Sequence, residues 1–132
     1  MIELSDRALA LLRAPLLAHL ATLNEDGAIQ VTPLWIHEED GRPVFNTRAG
    51  RVKDRNLLRD PRCTIEIVSA EDDEVYLEVR GSAVERVADH DHAHADELAI
   101  KYTGEVFREH GPGEERVKWY ITPERALGPA SR

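Results

Sequence analysis

Apolar residues near the start of the chain recur at the spacing of one helical face. Leu4, Ala8 and Leu12 follow this spacing, Ser5 is a favourable N-cap residue, and Pro15 cannot continue a helix. The pattern therefore predicts a short first helix that begins after Ser5 and ends before Pro15.

Beyond this helix, short runs of alternating or continuous apolar residues predict strands. Turn-forming residues at 24–27 and 38–41 separate the first three runs, which indicates an antiparallel meander. Gly81 interrupts the alternation of the fifth run and predicts a β-bulge. The six predicted strands cover residues 16–23, 29–37, 44–47, 63–67, 75–80 and 117–121.

Two further helices are predicted between the strands, over residues 51–59 and 89–107. Six short strands with interspersed helices indicate a mainly β (α+β) protein, an antiparallel barrel with flanking helices. The alternative is an open α+β sandwich. Because the chain shows no linker or internal repeat, we expect one domain over residues 1–132, with a loosely held tail after residue 127.

The composition narrows the class of protein. Of the 132 residues, 42% are hydrophobic and 32% are charged, as in a folded domain rather than a disordered one. The net charge of −8 argues against nucleic-acid and acidic-membrane binding. No apolar run is long enough to cross a bilayer, and the single cysteine, Cys63, excludes an intrachain disulfide and favours the cytoplasm.

Three cations, Arg51, Lys53 and Arg55, fall in the first turns of the second predicted helix. Cations at a helix N-terminus oppose the helix dipole, at about 0.3–1 kcal/mol each, and Arg51 and Arg55 share a face. A bound anion would reverse both penalties, because free backbone N–H groups and cationic side chains would converge on it. The pattern predicts a phosphate or carboxylate site; the alternative is a solvated basic helix.

The second predicted strand, residues 29–37, contains a proline where a ladder donor is expected. Pro33 therefore predicts an edge strand or a bulge, beside which free backbone groups could meet a flat heteroaromatic ring. Thr32 offers a hydroxyl and Trp35 an apolar face, while Asn46 and Thr47 end the next strand and could hydrogen-bond the same ligand. The alternatives are an edge strand with a core tryptophan, and plain turn chemistry.

The histidines near residue 92 and the single cysteine do not predict a metal or catalytic site. His90 and His94 share a helical face that His92 does not, and no His-Glu-x-x-His pattern is present, so we predict no metal site. Cys63 lies at an apolar position of a strand and is expected in the core. The sequence contains no Gly-x-Ser-x-Gly, Walker-type or Gly-x-Gly-x-x-Gly motif. Hydrolase, P-loop and Rossmann classes are therefore unsupported, and no catalytic residue is predicted.

Two stretches of the chain resemble the pyridoxamine 5'-phosphate oxidase-like proteins. Residues 20–35, with Asp-Gly at 26–27 and Val-Thr-Pro-Leu-Trp at 31–35, resemble the opening hairpin of that family. Residues 51–62, Arg-Val-Lys-Asp-Arg-Asn-Leu-Leu-Arg-Asp-Pro-Arg, resemble its most recognisable stretch. The best match within the family is to the short deazaflavin (coenzyme F-420)-dependent oxidoreductases of actinobacterial type.

The resemblance implies a six-stranded antiparallel split β-barrel, the FMN-binding split barrel, with two cofactor sites at the interface of a homodimer. Vitamin B6 oxidation is disfavoured, because the chain is short and lacks an arginine-rich C-terminal substrate motif. The residues that the resemblance assigns to cofactor binding are Thr32, Pro33, Leu34, Trp35, Asn46, Thr47, Arg51, Val52, Lys53, Asn56 and Tyr76, the last reaching in from the partner subunit.

The activity implied by the resemblance is hydride transfer between reduced coenzyme F-420 and an electron-poor organic substrate. The cations between residues 48 and 55 suit the oligoglutamate tail of F-420. This match favours F-420 over FMN as the cofactor. One alternative is an FMN-dependent oxidase or reductase of the same fold. Another is a cofactor- or haem-binding protein without turnover, for which the histidines at 90, 92 and 94 are the only hint.

Overall fold

A single curled antiparallel sheet forms the body of the protein. A computed structural model describes residues 1–107 and 110–132, and seven strands lie in this part of the chain. They are β1 (Ala18–Leu23), β2 (Ile29–Leu34), β3 (Ile36–Glu39), β4 (Arg42–Arg48), β5 (Arg62–Val68), β6 (Tyr76–Ala88) and β7 (Arg116–Leu127). Their order across the sheet is β2-β1-β5-β6-β7-β4-β3. This curled sheet confirms the predicted split barrel and excludes the open sandwich.

The barrel is split at Trp35. The predicted second strand, residues 29–37, breaks there into β2 and β3, which is why seven strands replace the six expected. β2 pairs with β1 at one edge of the sheet, whereas β3 pairs with β4 at the other. Pro33 lies on the edge strand β2, opposite His19, which confirms the edge position that its missing N–H predicted.

Three helices flank the barrel: α1 (Asp6–Arg13), α2 (Val52–Arg59) and α3 (Ala93–Thr103). The Ser5 hydroxyl accepts the N–H of Ala8 over 3.1 Å, as predicted for an N-cap. α3 is shorter than the predicted 89–107, because the Asp89 carboxylate caps its first N–H groups and Gly104, with φ of 85°, ends it. Within the described residues, no helix combines the length and apolarity needed to traverse a bilayer.

Strands β6 and β7 run further than predicted and pair along most of their length. The register shifts between Arg80 and Gly81, which confirms the predicted bulge. A Cβ atom on Gly81 would lie only 2.2 Å from the carbonyl oxygen of Thr122. Glycine is therefore required here for the close approach of two backbones.

The C-terminal residues pack against the core, so the expectation of a loose tail was wrong. Pro129–Ser131 form a short 3-10 helix in which Ala130 is buried. The Ser5 hydroxyl also donates to the Ala130 carbonyl oxygen over 2.9 Å, which ties the tail to the start of α1. The largest fully buried side chains of the core are Leu12, Leu20, Ile36, Phe45, Ile65, Ile67, Leu77, Trp119 and Ile121.

Candidate functional site

A cavity of about 370 Å³ opens where the split of the barrel meets the start of α2. This volume lies in the range of small-molecule sites. Seven of the residues predicted to bind a cofactor line it: Pro33, Leu34, Trp35, Asn46, Thr47, Arg51 and Lys53. The cavity lining also contains Leu17, Arg48, Leu98, Phe107, Glu114 and Arg116.

One wall of the cavity is aromatic. The Trp35 indole stacks on the Tyr102 ring, with ring centroids 5.3 Å apart and planes 12° from parallel. The Phe107 ring meets Trp35 edge-on, at 6.4 Å and 84°. Trp35 and Phe107 both face the cavity, so a planar ligand finds an apolar surface whose orientation is fixed by neighbouring rings.

Helix α3 satisfies the backbone groups at the split. The Tyr102 hydroxyl donates to the Leu16 carbonyl over 2.6 Å and accepts the Ile36 N–H over 3.1 Å. The Lys101 ammonium donates to the carbonyls of Ile36 and Leu12, at 2.5 and 2.7 Å, and burial lowers the pKa of Lys101 to about 8. The expectation that the break leaves its backbone groups free for a ligand was therefore wrong at Ile36.

Arg51 and Lys53 are the two cavity cations that belong to the start of α2. Among the described residues, neither the Arg51 guanidinium nor the Lys53 ammonium makes a hydrogen bond or an ion pair. Lys53 is half-buried, and its pKa is lowered by burial and then by the positive charges of Arg51 and Arg116. Like charges that converge in a partly buried pocket repel one another, and a bound anion removes that repulsion.

The other two cations of the cavity share one carboxylate. Glu114 lies 2.5 Å from Arg48 and 3.5 Å from Arg116, and its side chain is only 2% exposed. Burial by itself would raise the pKa of Glu114, but hydrogen bonds from His110 and Arg48 and the nearby arginine charges lower it to about 2. Glu114 is therefore a buried anion inside a cationic site.

Arg116 is a cavity residue that the sequence analysis missed. It begins β7, and the pairing of β4 with β7 places it opposite Arg48. The Arg116 Nε atom donates to Asn46 Oδ1 over 2.6 Å. Its only sequence signal is a cation at the start of a strand, and that signal does not identify which strand becomes its neighbour.

Asn46 lines the cavity but its amide already has several partners. The Asn46 amide nitrogen lies 3.0 Å from Asp89 Oδ2 and 2.9 Å from His94 Nδ1. Burial lowers the pKa of His94 to about 4, so its ring is neutral at pH 7 and can accept this bond. Asn46 therefore connects Arg116 to Asp89, the residue whose carboxylate caps α3.

Asn56, predicted to contact a cofactor phosphate, is buried outside this cavity. Its amide donates to Thr22 Oγ1 over 3.0 Å and to Asn24 Oδ1 over 2.9 Å. Its carbonyl accepts a hydrogen bond from Arg59 over 2.8 Å. These bonds use both amide hydrogens of Asn56 to hold α2 against β1.

Three other predicted residues do not line the cavity. Val52 is exposed at the start of α2, and Tyr76 lies on β6 against Gly128, away from the cavity of its own subunit. The Thr32 hydroxyl, next to the cavity residue Pro33, is buried and finds no hydrogen-bond partner among the described residues. A buried hydroxyl without a partner is rare in folded proteins, because it forfeits its hydration.

The histidines at 90, 92 and 94 have three different environments in the structure. His90 is exposed, whereas the His94 ring is buried against Asn46. His92 instead packs on His110, and with Glu114 these two form the one group in the described chain whose three possible metal-ligand atoms lie within 4.8 Å of one another. The charge of Glu114 is already compensated by its arginine partners.

A second groove, of about 350 Å³, is lined by residues of β1, β2, β5, β6 and β7. Cys63 borders it, but burial raises the pKa of this thiol to about 12. The thiol is therefore not a nucleophile at neutral pH, and its side chain is part of the core as predicted.

Comparisons with known proteins agree with this architecture. A search of curated proteins finds no match. Among solved structures, an F420 reductase is 28% identical over 89% of this chain and 94% of its own, with a TM-score of 0.81. The conserved hypothetical protein Rv2991 from Mycobacterium tuberculosis is 24% identical over 96% of this chain and 84% of its own, with a TM-score of 0.74.

A haem-binding protein from Mycobacterium smegmatis shares the fold, at 24% identity over 96% of this chain and 54% of its own, with a TM-score of 0.65. The family model of pyridoxamine 5'-phosphate oxidase matches residues 4–128, which is nearly the whole chain. This match includes the hairpin and the basic helix start that suggested the resemblance. The chain belongs to the pyridoxamine 5'-phosphate oxidase family, whose members adopt the split barrel seen here.

Proposed function

We propose that this chain is an oxidoreductase that binds a flavin-like cofactor in the cavity beside Trp35, and that the cofactor is coenzyme F-420 rather than FMN. The observation that carries the proposal is a pair of cations, Arg51 and Lys53, that find no counter-ion in the described part of the chain and share their cavity with an aromatic wall. A ligand that satisfies both features combines a planar ring with an anionic group.

The chemistry of the cavity fits such a group. The cationic groups of Arg51 and Lys53 suit a phosphate, since charge-assisted hydrogen bonds to phosphate are among the stronger ones. Trp35 and Phe107 supply the apolar surface for a ring.

The protein residues would bind, orient and exclude water. When bound, a flavin or deazaflavin supplies hydride transfer, and the protein contributes binding and electrostatics. Trp35 is held by Tyr102, and the Tyr102 hydroxyl is committed to the backbone of Leu16 and Ile36. We therefore assign Tyr102 a positioning role and not that of a proton donor.

Two observations favour F-420 over FMN. The 28% identical F420 reductase covers nearly the whole chain. Arg48 and Arg116, which share the single carboxylate of Glu114, add positive charge to the cavity beside Arg51 and Lys53. The oligoglutamate tail of F-420 offers further carboxylates for such a surface. The electron acceptor would be an electron-poor organic molecule, as the resemblance implies.

The second part of the proposal is a homodimer whose interface completes the site. Ile29 and Val31 point outward from the edge strand β2 and are 69% and 58% exposed. Leu17, also exposed, and Pro33 continue this apolar surface to the cavity. Contiguous exposed apolar surface marks an interaction site, and a second copy on this face would cover the cavity entrance. Tyr76 of the partner subunit would then approach the ligand.

Cofactor titration tests the proposal. We would add F-420, FMN and haem separately to the purified chain and follow Trp fluorescence and the ligand spectrum, and repeat with Lys53→Gln. We expect F-420 to bind and Lys53→Gln to weaken it by about 1.5–3 kcal/mol, the value of a charge-assisted hydrogen bond. Arg55→Gln is the matched control, because Arg55 lies on the same helix, is exposed and does not line the cavity.

The outcomes separate the alternatives. Preferential FMN binding would assign the chain to FMN chemistry, and a Soret band with no flavin binding would make it a haem-binding protein. Equal loss in both variants would show that the helix contributes only general positive charge. If F-420 binds, loss of the absorbance of reduced F-420 with a panel of quinones and enones is the expected activity, and no loss with any acceptor would contradict turnover.

A further inference from the structure

Glu114 divides the cations of the cavity into two pairs. Arg48 and Arg116 are ion-paired with its carboxylate, at 2.5 and 3.5 Å. The side chains of Arg51 and Lys53 have no such partner among the described residues. All five side chains line one cavity. The charge available to a ligand is therefore set by where the Glu114 carboxylate lies.

The two pairs line one cavity of about 370 Å³, so a single ligand that fills it can contact both. The positive charge of Arg116 is among the causes that lower the pKa of Lys53, so these two cations interact across the cavity. A ligand with one anionic group can neutralise Arg51 and Lys53 while Glu114 stays in place. A ligand with a second anionic group must compete with Glu114 for Arg48 and Arg116.

We propose that Glu114 is a specificity-determining residue that sets how many anionic groups the cavity accepts. The inference rests on the proposed function, because it takes Arg51 and Lys53 as the site of the first anionic group. Glu114 acts as an internal counter-anion: it stabilises Arg48 and Arg116 and penalises ligands that need them. Specificity of this kind comes from a repulsive element in the site rather than from a stronger contact.

The position of Glu114 in the chain allows it to be displaced. It follows a turn at Gly111, Pro112 and Gly113, whose last residue has φ of 70° and which is exposed to solvent. The Glu114 N–H closes this turn on the Gly111 carbonyl over 3.0 Å. Because Glu114 precedes β7, a movement of its side chain would break none of the backbone pairing between β4 and β7.

The test compares orthophosphate with tripolyphosphate, which carries several anionic groups, by calorimetric titration of the full chain. The quantity measured is the ratio of the two affinities. We expect Glu114→Gln to raise the preference for tripolyphosphate at least tenfold over the unmodified chain. Glu115→Gln, which removes the same charge from an exposed neighbour outside the cavity lining, is the matched control and should leave the ratio within twofold.

A second variant shows whether the gain arises at the arginines. The double variant Arg48→Gln/Glu114→Gln should lose most of the tripolyphosphate gain, because one of the two released cations is gone. An unchanged ratio in Glu114→Gln, or an equal rise in Glu115→Gln, would overturn the inference. If Glu114→Gln does not fold, Glu114→Asp, which withdraws the carboxylate by one methylene, must raise the ratio above that of Glu115→Asp.

Failure of the inference and failure of the proposed function give different results. If Lys53→Gln weakens orthophosphate binding but Glu114→Gln leaves the ratio unchanged, the anion site stands and the role of Glu114 is wrong. If Lys53→Gln leaves orthophosphate binding unchanged, the anion site itself is wrong, and the proposed function loses the observation that carries it.

Discussion

The indole N–H of Trp119 donates a hydrogen bond to Asp54 Oδ1 over 2.9 Å, inside the protein. Asp54 is only 1% exposed, and it also accepts the Gly50 N–H over 2.9 Å and two bonds from Arg86 at 3.0 and 2.9 Å. One carboxylate thus joins the cationic start of α2 to β6 and β7. The geometry of the anion site depends on this connection.

We expect Asp54→Asn to lower the free energy of unfolding by about 3 kcal/mol, because the amide removes the negative charge opposite Arg86 and leaves one acceptor oxygen where the carboxylate has two. The value lies at the low end for a broken buried ion pair, since the Arg86 side chain is 32% exposed. Urea unfolding at pH 7 measures it. Asp60→Asn, at the C-cap position of the same helix, is the control and should cost much less, because its partner Arg62 is exposed to solvent. Equal losses in both variants would contradict the role of Asp54.

His94 predicts a specific dependence of stability on pH. Burial holds its folded-state pKa at about 4, below the ordinary value near 6.5, so the unfolded chain takes up a proton that the folded chain does not. This contribution is complete above pH 6.5 and is lost as the pH falls toward 4. From pH 7 to pH 4.5, we expect the unmodified chain to lose roughly 2 kcal/mol more than His94→Asn. Urea unfolding over this pH range measures the difference. His90→Asn, at an exposed position, is the control and should show the pH profile of the unmodified chain. If His94→Asn shows that same profile, His94 is not the source of the pH dependence.

Tyr102 should stabilise the split of the barrel through its hydroxyl. Tyr102→Phe keeps the ring against Trp35 but leaves the Ile36 N–H and the Leu16 carbonyl without this partner, at a cost of about 1–3 kcal/mol. Thermal or urea unfolding measures the loss, and Trp fluorescence reports on the stacked pair. Tyr120→Phe, whose hydroxyl contacts the side chains of Glu39 and Lys118 rather than buried backbone groups, is the control and should cost less. A larger loss in Tyr120→Phe would contradict this role.

The bulge in β6 predicts that Gly81 cannot be replaced. The Cβ atom of Gly81→Ala would lie 2.2 Å from the Thr122 carbonyl oxygen, a backbone atom that cannot yield without separating β6 from β7. Overpacking of this kind costs about 1–3 kcal/mol or more. Gly111→Ala is the control, because its Cβ would meet no atom within 4 Å. A Gly81→Ala chain with an unchanged unfolding midpoint would show that the bulge adapts.

The proposed dimer predicts that charge on the outer face of β2 separates the subunits. We expect Ile29→Glu combined with Val31→Glu to convert a dimer into a monomer in analytical ultracentrifugation, and to weaken cofactor binding because the partner no longer covers the site. Ile100→Glu, which is 51% exposed on α3, is the control and should remain dimeric. A monomeric unmodified chain that binds cofactor fully would contradict the proposal.

Local sequence determined the features that depend on neighbours along the chain. Ser5 and Pro15 bound the first helix, Asp60 and Pro61 end the second, and Gly81 marks the bulge. Capping, ring closure and backbone freedom act over a few residues, so these signals can be read directly. The apolar alternation likewise determined which strand residues face the core, although not which strands become neighbours.

Only the tertiary structure decided which distant groups meet. The second predicted strand breaks at Trp35 because Tyr102 and Lys101, far along the chain, satisfy the backbone at that point. Arg116 and Glu114 enter the cavity through the pairing of β4 with β7, and no local pattern encodes that pairing. The sequence by itself determined a cationic helix start beside an edge proline. The fold decided which of its cations are left free for a ligand, because ion pairing depends on the three-dimensional position of each partner.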